Sequence, residues 1–304
     1  MGGVSVVLAC RAADVDGITP IPQLLAFLPW LLIPVTVALA LAALARWRLG
    51  VVWALVVAVG TGWFTQPYGD GANRPEGPAL AKVRVLTSNV EFGWATSELS
   101  ATIRREKPDI VFAEECDSPC SAALRGEFAA EYPYTRVVEA HGPEGSALLS
   151  RYPLKDAPGI AATLGMPGAV AEIAGRPVQL QLAHPMPPRP GGIGLWRTEL
   201  GALRDYAADR AGVPTILAGD FNASQDHAAF RRILDTGLHD SARLAGDSRA
   251  PSWPSATAPP LGTQIDHVLV SRDFSVGSAR FLDLANTDHR SLLAELTLHG
   301  AGPG

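Results

Sequence analysis

At five places where an apolar run begins or ends, this chain sets side chains that can hold a hard cation or move a proton. Asn89 closes "RVLTSN", Glu115 closes "DIVFAEE", His184 closes "QLQLAH", Asp220 and Asn222 close "TILAGDFN", and Asp288 with His289 stand before the last apolar run. Taken singly, each is most simply a turn or capping residue; Asn222 with Ser224 could cap a helix over "QDHAAFRRIL". As a set they carry more. Glu and Asn supply hard oxygens that suit Mg²⁺, which binds through one or two carboxylates, waters and substrate phosphate oxygens. Asp and His can prepare a water for attack and shuttle its proton while the metal offsets charge growing on phosphorus. Those are the parts of a phosphoesterase.

The runs read as strands and helices of an α/β domain. "KVRVLTSNV" predicts a strand, "SELSATIRREK" a helix capped by Thr96 or Ser97, and "DIVFAEE" a second strand. Short apolar runs at 134–138, 147–150, 169–173 and 178–183, with Gly or Pro at most junctions, predict antiparallel strands. A helix over 195–210, the strand "PTILAGDFN", a helix over 226–234 and late strands at "IDHVLVS", "SVGSARFLD" and "SLLAELTL" follow. The count suits a four-layered α/β sandwich, two mixed β-sheets face to face and flanked by helices. In "TILAGDFN", Asp220 and Asn222 should point to one side while Phe221 turns back to the packing.

In order and spacing, "TSNV", "PDIVFAEE", "GSALLSRYPL", "LAGDFNA", "IDHVLVS" and "TDHRSLLAEL" resemble the endonuclease/exonuclease/phosphatase superfamily. This metal-dependent group includes DNase I, abasic-site endonucleases, inositol polyphosphate phosphatases and neutral sphingomyelinases. The resemblance covers residues 82–298. It implies that Asn89 and Glu115 hold Mg²⁺, with Mn²⁺ an alternative, and that Asp288 supports the metal region. It further implies that Asp220 orients or deprotonates the attacking water and that Asn222 hydrogen-bonds the scissile phosphate. His289, held by Asp266, would contact the phosphate or transfer a proton, and His184 would stabilise the phosphate or protonate the leaving group.

One position departs from the family's pattern. Gln usually precedes the metal-binding Glu, and this chain has Glu114 there. Strand alternation sets Val111, Ala113 and Glu115 on one face and Phe112 and Glu114 on the other, which favours Glu115 as ligand. His141, His227, His239 and His299 fall in loops or on presumed helix surfaces and read as solvated, while His267 should face away from Asp266.

Ahead of this domain the composition changes. Residues 22–45 carry no charge over 24 positions, long enough at about 1.5 Å per residue to cross a hydrocarbon core of about 30 Å. After "RWR", a second uncharged run over 49–64, extendable to Tyr68, has Trp53, Trp63 and Tyr68 suited to interfaces. Together they predict a transmembrane helical hairpin over 22–68. Arg46 and Arg48 in its loop place that loop in the cytoplasm and the catalytic domain on the other side of the cell membrane. Residues 1–21 form an N-terminal segment whose "VSVVLAC" could be the remnant of a further helix, 69–81 a Gly- and Pro-rich linker, and 299–304 a tail. Cys116 and Cys120, outside the membrane in this topology, could form a disulfide, with Cα separation deciding.

The first eighty residues hold four acidic and four basic side chains, which leaves 26 acidic and 21 basic beyond them. A strong duplex binder would show a basic excess, because phosphate neutralisation dominates its affinity. The reading is therefore a membrane-anchored phosphodiesterase or phosphatase, whose partners are the lipid bilayer and a phosphoester of lipid or cell-envelope type. An anchored nuclease acting on nucleic acid comes second, and a catalytically silent binding module third. The loops "HPMPPRPGG" (184–192) and "PSWPSATAPP" (251–260) should shape the pocket.

Overall fold

A computed structural model describes residues 1–69, 71–257 and 261–301. The N-terminal part is helical: α1 (Gly2–Ala12), α2 (Ile21–Ala26), a 3-10 turn (Leu28–Leu31), α3 (Leu32–Leu44) and α4 (Arg48–Phe64). Next come β1 (Ala79–Asn89), α5 (Thr96–Glu106), β2 (Ile110–Glu114), α6 (Ser118–Glu127), β3 (Tyr134–Val138), β4 (Ser146–Ser150), β5 (Leu154–Ile160), β6 (Met166–Ile173) and β7 (Arg176–Ala183). The chain then forms α7 (Ile193–Ala208), β8 (Thr215–Asp220), α8 (Ala228–Leu234), β9 (His239–Asp240), α9 (Ser241–Leu244), β10 (Asp266–Val270), β11 (Phe274–Asp283) and β12 (Arg290–His299).

The strands build two six-stranded sheets, ordered β11-β12-β1-β2-β4-β3 and β5-β6-β7-β8-β10-β9. Each is mixed, since β1 runs parallel to β2 and β7 to β8 while their other neighbours are antiparallel. Alternation assigns the layers. In β2, Ile110 and Phe112 face the inter-sheet core with Leu180, Ile216 and Val268, whereas Val111 and Ala113 turn outward under Leu99 and Leu124 of α5 and α6. On the other outer face, Trp196 and Leu200 of α7 and Phe230 of α8 cover Leu217 and Leu269. Full burial of each such large side chain favours folding by about 1.5–3 kcal/mol. The result is the layered α/β sandwich expected from the strand and helix count.

Local details differ from expectation. β5 and α6 have no clear period in the sequence. α6 starts at a cap, Asp117, whose carboxylate accepts from the Cys120 N–H at 2.9 Å. Cys116 and Cys120 are bridged there across a Cα separation of 5.2 Å. The N-cap of α5 is Ala95, not Thr96 or Ser97. Neither Asn222 nor Ser224 caps α8; the free N–H groups of Ala228 and Ala229 donate instead to Asp16, at 2.6 and 3.1 Å.

The transmembrane hairpin and the multi-pass placement in the cell membrane are overturned: among the described residues no helix is long and apolar enough to cross a membrane. Prolines explain the difference. Pro22, Pro29 and Pro34 each fall in the first turn of a separate element, so the uncharged run breaks into α2, the 3-10 turn and α3. The 13 residues of α3 and 17 of α4 reach only about 20 and 26 Å at about 1.5 Å per residue. The two helices lie against each other, bury Val35, Ala42, Ala54 and Val57, and leave Val37, Leu41, Val52 and Val59 exposed.

The N-terminal helices are tied to the sandwich by polar bonds. Asp226 pairs with Arg11 at 3.7 Å, Arg249 donates to the Thr65 carbonyl at 2.8 Å, Asp14 pairs with Arg231, and the Tyr68 hydroxyl donates to Asp235 at 2.8 Å. Buried His227 accepts from the Ser224 N–H through Nδ1 at 2.9 Å, which leaves Nε2–H to donate to the Pro22 carbonyl at 2.8 Å.

Two outcomes follow for stability. Asp16→Ala should cost about 1–2 kcal/mol in a denaturant melt, the usual loss of a cap. Burial holds His227 below its ordinary pKa, although Asp16 opposes the shift. The unfolded chain therefore takes up the proton first, so this contribution is complete above about pH 6.5 and fades as pH falls below it. His227→Gln should flatten the fall in melting midpoint between pH 7 and 5, and an unaltered slope would contradict the assignment.

Candidate active site

The central strands of both sheets end at one edge of the sandwich. Asp220 and Asp266 are direct register partners in the antiparallel pair β8–β10, and β1 and β2 bring Asn89 beside Glu114. His184 follows β7, which runs parallel to β8. Gly219 explains how closely those two approach: a Cβ there would lie 1.9 Å from the Ala183 carbonyl oxygen, and its φ of +151° is one that only glycine adopts freely.

His289 ties the acidic pair together. Its Nδ1 lies 2.9 Å from Asp266 Oδ2, and its Nε2 lies 3.7 Å from Asp220 Oδ2. Burial alone would depress the imidazole, but the two carboxylates outweigh it and raise its pKa, so the ring is an imidazolium. Burial also raises Asp220, with Asp266 adding to the shift and His289 opposing it.

Asn89 bridges the sheets. Its Nδ2 donates to Glu115 Oε1 and to Asp220 Oδ2, both at 3.2 Å, while Oδ1 accepts from the Glu91 N–H at 3.0 Å. Glu115 stands just past β2 in a left-handed backbone, φ +53°, and also accepts from the Phe92 N–H at 3.2 Å. Strand alternation does not extend to Glu115: the pleat ends at Glu114, and the left-handed backbone of Glu115 sets its carboxylate against Asn89. Glu114 is fully buried, accepts from Thr87 Oγ1 at 2.9 Å, and is pushed well above the ordinary carboxyl range by burial, then by Asp266.

His184 is buried, with Nε2 at 3.9 Å from Glu115 and 4.0 Å from Asp220 and with Nδ1 unpartnered. Burial foremost lowers its pKa to about 3, so it is neutral. Asn222, also left-handed at φ +47°, donates its N–H to Asp220 Oδ1 at 2.8 Å and its amide to the Pro185 carbonyl at 3.0 Å. Phe221 between them packs among the buried residues under α7 and α8. Asp288 is half-exposed; it accepts from the Trp253 indole at 2.7 Å and lies 3.7 Å from His289 Nε2.

Glu115, His184, Asp220, Asn222, Asp288 and His289 line a cavity of about 670 Å³, whereas Asn89, Glu114 and Asp266 lie behind its wall. The loop after His184 contributes Met186, Pro187, Pro188 and Arg189, and the later loop contributes Trp253, its residues 258–260 lying outside the described ones. Gln23, Phe27, Glu91, Phe92 and His227 also line it. No local motif marks these five, because they reach the site through tertiary packing. His227 and His299 are not solvated: the latter bonds Ser275 and the Gly77 carbonyl. His267 faces away from the cavity, toward Asp240 and the Ala223 carbonyl.

The donor set suits a hard cation. Glu115 and Asp220 share one amide N–H₂ group as common donor, and burial raises the pKa of Glu115 against its hydrogen bonds. Lone pairs are left over on both carboxylates. As a ligand, Asn89 would have to present its oxygen instead of its nitrogen. Asp220, Asp266 and His289 also offer ligand atoms within 4.8 Å of one another, though the imidazolium already balances that pair.

Known proteins agree with this architecture. A structure from Beutenbergia cavernae described as an endonuclease/exonuclease/phosphatase aligns with TM-score 0.61 at 22% identity, covering 72% of each chain. Sphingomyelinase C from Streptomyces griseocarneus aligns with TM-score 0.52 at 15% identity, over 71% of this chain and 99% of that one. A 3′ phosphatase from Neisseria bound to a product DNA hairpin aligns with TM-score 0.55 at 18% identity, over 70% and 98%. At such identities the likeness is one of fold. No curated protein sequence matches. The family model Endonuclease/Exonuclease/phosphatase family matches residues 86–289, more than half of the protein, and the chain belongs to that family.

Proposed function

We propose that the chain is a divalent-metal-dependent phosphoester hydrolase whose substrate carries an apolar group, as a lipid-type phosphoester does. One observation supports the reading above others: Glu115, His184, Asp220, Asn222 and His289, from loops and strand ends of both sheets, line one cavity.

Their chemistry fits in-line attack of water on phosphorus. Asp220, lifted by burial into a range where it accepts protons near neutrality, takes the proton of the water as the new O–P bond forms. Asn222 donates its backbone N–H to Asp220 and so fixes the direction of that carboxylate. His289, oriented by Asp266, presents positive charge to the phosphate oxygens and can give its proton to the departing alcohol as the P–O bond breaks. Neutral His184, 4.0 Å from Asp220, would meet the same oxygens without adding charge. A bound Mg²⁺, or Mn²⁺, held by Glu115 with Asn89, would supply charge neutralisation at the phosphate, with Asp288 nearby. Phe27, Phe92, Leu164, Met186 and Trp253 in the cavity lining favour a substrate with an apolar part.

A phosphoester panel tests the reading. Asp220→Ala and His289→Ala should each lower kcat/KM by about 10²–10⁴ without loss of fold. EDTA should abolish turnover and added Mg²⁺ restore it. Glu115→Ala should be inactive while Glu114→Gln, which keeps the size of a buried side chain outside the cavity lining, keeps most activity; the opposite pattern would move the ligand to Glu114. Good turnover of DNA with none of any lipid phosphate would reject the apolar substrate in favour of a nuclease.

A further inference from the structure

We infer that the N-terminal helical segment is part of the substrate site, with Phe27 a specificity-determining contact for a hydrocarbon group on the phosphoester and Gln23 a positioning residue. The inference rests on the phosphoesterase reading and adds to it which part of the chain selects the substrate.

The residues proposed to act on phosphorus all lie between positions 89 and 289, yet Gln23, Ala26 and Phe27 line the same cavity. Phe27, at the C-terminal end of α2, is half-buried, and its ring lies 6.2 Å from that of Trp253 at a tilt of 51°. Trp253 donates its indole N–H to Asp288 at 2.7 Å, and Asp288 lies 3.7 Å from His289. Two aromatic rings therefore lead from α2 to the edge of the reacting centre. Gln23 donates its amide to the Pro188 carbonyl, in the loop that directly follows His184.

This wall is anchored. The buried His227–Pro22 bond fixes the start of α2, and Asp16 just ahead of it bonds the first turn of α8. A contact held by buried polar bonds can discriminate between substrates, whereas a frayed terminus cannot. Its chemistry is hydrocarbon: Phe27 and Trp253 offer no charge, and each methylene buried against such a surface adds about fourfold to binding.

The test compares 4-nitrophenyl methyl phosphate with 4-nitrophenyl octyl phosphate, and ethyl with octyl phosphate, on the full chain with Mg²⁺. The wild type should favour the octyl member by at least tenfold in kcat/KM. Phe27→Ala should erase most of that preference through KM, with the loss on the short ester at least fivefold smaller. Phe27→Leu, which keeps apolar volume, should fall between. Gln23→Ala should raise KM for both octyl esters, and Gln23→Asn should fail to restore it because the shorter amide cannot reach Pro188. If Phe27→Ala melts early, Phe27→Leu decides alone. An undiminished octyl preference in the Phe27 variants, or no chain-length preference in the wild type, overturns the inference while leaving the hydrolase intact. No turnover of any ester by the wild type removes the hydrolase reading itself, and the inference with it.

Discussion

Two carboxylates facing each other across a buried strand pair need a positive charge between them, and this constraint organises the end of the sandwich. Asp220 and Asp266 are register partners and both are almost fully buried. Left alone, two such charges would repel strongly where little water screens them. His289 resolves the conflict: it enters from the loop before β12, in the other sheet, and bonds Asp266 while facing Asp220. The electrostatic need of one sheet is met by a side chain of the other, so the sheets must meet in register for the site to exist.

The rest of the edge follows from that meeting. Asn89 donates from the first sheet to Asp220 in the second and to Glu115 in the turn after β2. That turn is held in place twice, by the Cys116–Cys120 bridge and by the Asp117 cap of α6. Gly219 permits β7 and β8 to approach so closely that His184 and Asp220 share one cavity. Packing in the layers thus fixes the relative positions of the groups that the chemistry needs.

Much of the architecture was legible because strand and helix periods depend on local side-chain pattern. The strand over 134–138 and the paired late strands emerge from apolar alternation and Gly or Pro punctuation alone. The polar strand ends were legible for the same reason, since a buried run that stops on Asp, Asn or Glu marks where a sheet opens. Misreadings arose where a nonlocal partner or a backbone reversal intervened. Glu115 leaves the pleat through a positive φ, and α8 takes its cap from Asp16, more than two hundred residues upstream. The uncharged run at 22–45 satisfied a composition criterion for a membrane span, but its prolines divide it into pieces too short to serve as one.

By itself, the sequence determined the layered α/β class, the strand ends bearing Asn89 and Asp220, and the motif order that marks the family. These depend on periodicity and on residue types a few positions apart. Only the tertiary structure decided that His289 balances Asp220 and Asp266, that Glu114 is fully buried against Thr87 while Glu115 faces Asn89, and that Phe27 shares a cavity with His184. Charge balance, burial and contact between distant segments are properties of space, and no local pattern of residues encodes which far-off side chain will fill the gap.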